Sequence, residues 1–284
     1  MNNQIKSTSN DTWFFGHPKG MVTLFFTEMW ERMSFYGMRA LLVLYMTAAV
    51  DSTFNPGMGL SSEAAQAIYG IYVGMVYFMV IPGGWLADNI LGHQKAVLIG
   101  AIIIAMGHIT LAIPLSETFF LGLALVVIGT GLLKGNISTI VGKLYKEGDT
   151  RIQAGYTIFY MSINIGSALG FLVVAWLGEK IGWHWGFGAA GIGMIFGVMQ
   201  YIFFKRLLGE AANQPNAMPV AQRNGYLKWS KITAAFMVIV LGLGLTGYIT
   251  IDAEVFAENF AIFLTVVAFI SVSYTHLRAH ETIA

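Results

Sequence analysis

The chain has 284 residues, of which 56% are hydrophobic types and only 11% are charged, with a net charge of +1. A soluble domain of this length carries about a quarter charged residues on its surface, so lipid is the solvent for most of this chain. Cys is absent, which excludes disulfides and thiolate chemistry, and no basic tract points to nucleic acid.

The first stretch, Met1 to Gly20, is polar and lacks the apolar core of a signal peptide. A membrane helix needs roughly 20 apolar residues. Six strong candidates follow, at 21–50, 64–90, 95–114, 118–145, 153–178 and 184–207, with two weaker ones at 231–250 and 257–273. The fold class expected is all-α integral membrane, a six-helix bundle plus two additional helices. The polar stretch from Leu208 to Ser230, with Pro215, Pro219 and Asn224, divides residues 1–208, the bundle, from 209–273, a cytoplasmic linker and the two extra helices. Glycines four apart, at Gly70/Gly74, Gly131/Gly135, Gly166/Gly170 and Gly193/Gly197, suit close helix packing. The tail at 274–284 breaks the pattern and looks like translated vector sequence. Its His276 and His280 are spaced to chelate a metal, but the tail is set aside from fold reasoning and no metal site is expected.

With the N-terminus in the cytoplasm, Lys6, Lys19, Lys95, Lys143, Lys146, Arg151, Lys205, Arg206, Arg223, Lys228 and Lys231 fall inside, whereas Lys180 alone falls in the outer loops. That asymmetry fixes the expected orientation.

Four charges interrupt the first helix: Glu28, Glu31, Arg32 and Arg39. A charge at mid-bilayer costs roughly 2.5–3.5 kcal/mol, so each is a functional candidate. At helical spacing these four and Phe35 share one face, with Tyr36 at its edge, and that face is expected to look into a cavity. Two carboxylates beside one Arg leave room for a proton to load and leave; a static ion pair locking the helix is the competing reading. In the fourth helix, Lys134 lies in Gly129-Thr-Gly-Leu-Leu-Lys134-Gly135-Asn136, where a substrate carboxylate is a fitting partner. No strand precedes it and the spacing is wrong for a phosphate loop. His93, His108 and His184 have no Ser/Asp or metal-ligand companions in the sequence, so an enzyme is the least supported class.

The run Gly84 to Asp88 and on to Gly92 resembles the major facilitator loop pattern G-x-x-x-D-x-x-x-G, with Asn89 where that pattern usually has Arg, which weakens the loop's charge latch. Three further segments resemble the proton-dependent oligopeptide transporter family. They are Glu28-x-x-Glu31-Arg32-x-x-Phe35-Tyr36-Gly37, Phe159-Tyr160-x-x-Ile163-Asn164-x-Gly166, and Lys134-Gly135-Asn136, where the family often has Lys-Pro-Asn. The likeness spans about residues 14–208.

The resemblance implies symport of di- and tripeptides with protons by alternating access, in a multi-pass protein of the cytoplasmic (inner) membrane. Glu28, Glu31, Arg32 and Lys134 would couple proton movement. Tyr36, Arg39, Tyr77, Lys134 and Asn164 would contact the peptide, Arg39 and Lys134 at its carboxylate; Tyr69 and Tyr72 compete with Tyr77 for its place. No cofactor is implied beyond the proton gradient. The partners are peptide, protons, the bilayer and a missing C-terminal six-helix half, without which transport is not expected. The alternatives are the same fold carrying another solute such as nitrate, and a non-transporting membrane fragment that needs a partner half.

Overall fold

The protein is described from a computed structural model covering residues 13–213, 215–245, 248, 255–266 and 269. The 274–284 tail, with His276 and His280, lies outside the described residues, as do the first twelve residues of the polar stretch that ends at Gly20.

The described residues form helices throughout: α1 (Gly20–Thr47), α2 (Ser62–Leu91), α3 (His93–Leu111), α4 (Ser116–Lys143), α5 (Ile152–Lys180), α6 (Trp183–Phe204), α7 (Val220–Leu245) and α8 (Val255–Val266). In lipid, only structures that satisfy their own backbone groups survive, and a helix does so within one segment. Five of these, α2 to α6, are long and apolar enough to cross a membrane. With 28 residues α1 has the length, but its four charges set it apart. The chain is thus an all-α, multi-pass membrane bundle.

Local sequence explains the breaks. Ser61 caps α2, its hydroxyl accepting from the Ala64 N–H at 3.0 Å. Pro82 has no N–H to donate and crowds the carbonyl four residues before it, and α2 is interrupted at Met79. Gly92, at φ +79°, turns the chain from α2 into α3. The α7 helix starts at Val220, well before the expected 231: the polar residues Gln222 to Lys231 are already helical, because a run without an apolar stripe is invisible to a hydropathy reading.

Helix α1 is central, packed chiefly on α5 and α6; α3 packs on α4 and α6, and α2 on α4. Glycines set the closest crossings. A methyl on Gly129 would fall 2.7 Å from the Gly100 carbonyl oxygen, so α3 and α4 meet backbone to backbone. A methyl on Gly166 would fall 2.8 Å from Arg32 Cβ and closer still to the Met29 carbonyl. That glycine therefore lets α5 lie directly on the charged turn of α1. The notch expected at Gly70 is not one, since among the described residues no neighbouring atom lies within 4 Å of its Cβ position; Gly74 faces Phe260 of α8 instead.

At one end of the bundle Asn55 joins three elements. Its Nδ2 donates to the Gly178 carbonyl at 2.7 Å, its Oδ1 accepts from the Trp183 N–H at 2.8 Å, and its carbonyl accepts from Trp183 Nε1 at 2.8 Å. At the α2–α3 turn His93 is buried between Asp88 (Nε2–Oδ1 3.2 Å) and Asn136 (Nδ1–Oδ1 2.8 Å). Asn136 in turn donates to the Gly83 carbonyl at 3.2 Å. Asn89 donates only to the Trp85 carbonyl of its own helix, so the turn's acid is latched by His93.

Candidate functional site

Glu28, Glu31 and Arg32 are 2%, 0% and 4% exposed. Their i, i+3, i+4 spacing puts them on one face of α1, and Gly166 of α5 lies against Arg32. Arg32 Nε donates to Glu28 Oε1 at 2.6 Å. Glu31 Oε2 lies 2.9 Å from the same nitrogen, yet the angle is wrong for a hydrogen bond, so both Glu31 oxygens and Glu28 Oε2 have no hydrogen-bond partner. Two carboxylates share one guanidinium, so the trio carries a net negative charge until it takes up a proton. Bringing charge into a low-dielectric interior without full pairing is strongly unfavourable.

One turn further along α1, the buried Phe35 ring receives both guanidiniums, Arg32 Cζ at 5.6 Å and Arg39 Cζ at 5.5 Å from its centroid. Arg39 is half-buried. Its Nε donates to the Tyr69 hydroxyl at 2.8 Å, its Nη2 contacts the same oxygen, and its Cζ lies 5.4 Å from the Tyr69 ring centre. Arg39, Tyr36, Ala40, Tyr69, Ser167 and Phe171 line an open cavity of about 320 Å³. Lys134 on α4 is half-buried, with Nζ 3.8 Å from the centre of the Tyr77 ring, and its charge is within electrostatic reach of Glu31.

The sequence-predicted residues thus fall into three groups. The trio is buried together. Tyr36 and Arg39 share the cavity. Tyr77 and Lys134 pair with one another outside that lining, and Tyr77 is 55% exposed. Asn164 stands apart: it is exposed and donates, at 3.4 Å, only to the Tyr160 carbonyl of its own helix. Tyr69, weighed in the sequence only against Tyr77, is the partner of Arg39. The His93–Asn136 contact was also missed. Asn136, two residues beyond Lys134, was the only signal for it.

Beyond the membrane spans, His17 Nδ1 and the Tyr145 hydroxyl share a 2.8 Å hydrogen bond. Arg151 holds Asp149 through contacts of 2.7 and 3.0 Å and donates to the Gly16 carbonyl at 3.2 Å. Burial, then the nearby Arg151 charge, lowers the His17 pKa. Burial pushes the Tyr145 phenol up to about 12. The hydrogen bonds from Arg151 hold Asp149 down at about 2.

The chain is similar to known proteins along most of its length. It is 44% identical over 254 residues to peptide transporter YePEPT of Yersinia enterocolitica, covering 86% of this chain and 49% of that relative. It is 40% identical over 260 residues to a di-/tripeptide transporter of Lactococcus lactis subsp. lactis, covering 90% of this chain and 51% of the relative. The fold matches a solved peptide transporter POT in complex with sulfate at a TM-score of 0.81 and 42% identity, over 91% of this chain and 53% of that one. It also matches a POT family transporter in complex with 5-aminolevulinic acid at a TM-score of 0.79 and 38% identity, over 90% of this chain and 52% of that one. The chain spans about half the length of the curated relatives it matches. Residues 94–271, more than half of the sequence, match the PTR2 model of the POT family, and the chain belongs to that family.

Proposed function

We propose that this chain forms one half of a proton-coupled symporter of di- and tripeptides that works by alternating access, and that it is not an enzyme. In this reading α1 crosses the membrane with α2 to α6, making residues 1–208 a six-helix unit. Residues 209–273 are a cytoplasmic link and two further spans, and the N-terminus is cytoplasmic, in the inner membrane. The lopsided charge of the buried trio carries the proposal: Glu28 is neutralised by Arg32 and Glu31 is left to bind the transported proton. Lys134, within reach of Glu31, links that proton to the peptide region. Arg39 and Tyr36 offer the cavity's charge and hydrogen bonds to a peptide carboxylate, Lys134 and Tyr77 act at the same end, and Asn164 meets peptide amides. Asn164 and Tyr77 are exposed in this half, and a second six-helix half closing over α2 and α5 would bring them into a shared cavity.

The names of the Yersinia and Lactococcus relatives support a peptide substrate. The test is uptake of labelled dialanine into vesicles under an imposed proton gradient, with this half joined to a second half. Glu31→Gln is expected to abolish driven uptake and spare dialanine counterflow. Driven uptake that survives Glu31→Gln returns the trio to a static lock. Uptake that nitrate but not dialanine inhibits would move the proposal to another solute.

A further inference from the structure

Among the described residues, four buried polar atoms near the Phe35 turn lack a hydrogen-bond partner: Glu28 Oε2, both Glu31 oxygens and the Tyr72 hydroxyl. The first three belong to the trio. The fourth comes from another helix, α2, and has no role in the site as described so far. Tyr72 is 4% exposed. Its ring lies 6.4 Å from that of Phe35, the ring that already receives Arg32 and Arg39. Of the charges acting on Tyr72, Glu31 is the strongest, ahead of Arg39 and Arg32.

A phenol buried without a partner is costly, and Phe would fill the same space without that cost. The neighbouring Tyr69 hydroxyl is committed to Arg39; that of Tyr72 is uncommitted. Arg32 can only donate, so it cannot accept the O–H of a carboxylic acid. A phenol donates to the first and accepts from the second.

We infer, building on the proton-coupling reading above, that Tyr72 is a positioning residue of the proton site: its hydroxyl, unbonded in this structure, turns to hydrogen-bond the Glu31 carboxyl as that group gains and loses its proton. The proton adds to a Glu31 oxygen and leaves from it. The phenol keeps its own proton and turns from donor to acceptor, so no bond of Tyr72 breaks. The other groups acting on Glu31 are Glu28 and Arg32 on α1 and Lys134 on α4. Those acting on Tyr72 besides Glu31 are Arg39 and Arg32 on α1 and Tyr69 on α2.

Infrared difference spectroscopy of the chain in lipid vesicles tests this without reading transport, so a failure of peptide symport cannot imitate a failure here. Glu31→Gln identifies the Glu31 carboxyl band. Tyr72→Phe is expected to raise that band's frequency. It should also displace the proton concentration at which the band is lost by roughly three- to tenfold, the equilibrium weight of one hydrogen bond. An unchanged band and unchanged titration in a folded Tyr72→Phe chain overturn the inference, and that is what a packing role alone would give. Should Tyr72→Phe not fold, 3-fluorotyrosine at position 72 keeps the shape and makes the hydroxyl a weaker acceptor for the protonated acid. It is expected to raise the band's frequency by less than Tyr72→Phe would, and a band that stays in place overturns the inference equally.

Discussion

The three charged side chains of the α1 trio are an arrangement that spacing alone could place but only packing could make consequential. Residues 28, 31 and 32 had to share a face. That α5 would lie directly on Arg32 followed from Gly166, whose lack of a side chain lets the helices touch. Among the described residues, Arg32 is the sole cation bonded to the trio's carboxylates. Arg32→Met should therefore lower the unfolding free energy by about 3–5 kcal/mol, because two acids are left buried without their counter-charge. Thermal unfolding in detergent measures it, and adding Glu28→Gln and Glu31→Gln should restore most of the loss. Partner choice across helices was less legible. Which tyrosine of α2 meets Arg39 depends on the rotation of α2 about its axis, and Tyr69, Tyr72 and Tyr77 all remain open on spacing alone.

Helix positions were largely readable because length and hydropathy are what a bilayer selects. The exceptions are instructive. The polar start of α7 carries no apolar periodicity, and the latch at the α2–α3 turn uses His93, which sits in an unremarkable loop sequence until Asn136 of α4 is folded against it. Crossings can be tested by paired glycine substitutions. Gly166→Val should push α5 off α1 and cost about 1–3 kcal/mol, whereas Gly70→Ala, facing open space, should be neutral or slightly stabilising. Melting temperatures of the two variants compare them directly.

The turn after α4 should respond to acid. His17 has a lowered pKa in the fold, so near pH 6 the unfolded chain binds more protons than the folded one. Its contribution is present above the ordinary His pKa of about 6.5 and is lost as pH falls below it. Asp149, held at about 2, acts in the same direction, contributing above its ordinary pKa and losing that contribution as pH falls towards 2. Protection factors at residues 145–151, taken relative to the intrinsic exchange rate at each pH, should fall between pH 7 and 5, and His17→Gln should flatten that dependence.

On the scale of the whole molecule, α1 is mostly buried, while the helices around it leave large apolar and aromatic surfaces exposed, among them Tyr77 and Ile81 on α2 and Tyr160, Met161 and Phe171 on α5. If the second half is needed to complete the site, vesicles holding this chain alone should show no uncoupler-sensitive dialanine uptake; measurable uptake would mean that one half suffices. The burial of α1 also bears on how the protein is made. If α1 is a span, as proposed above, it is the one least able to stay in lipid on its own, since its acids and arginines find shelter against helices made after it, Arg39 on Tyr69 of α2 and Arg32 beside Gly166 of α5. It must wait beside the insertion machinery until more than a hundred further residues have been synthesised, and a ribosome stalled before α5 should leave α1 extractable by alkali.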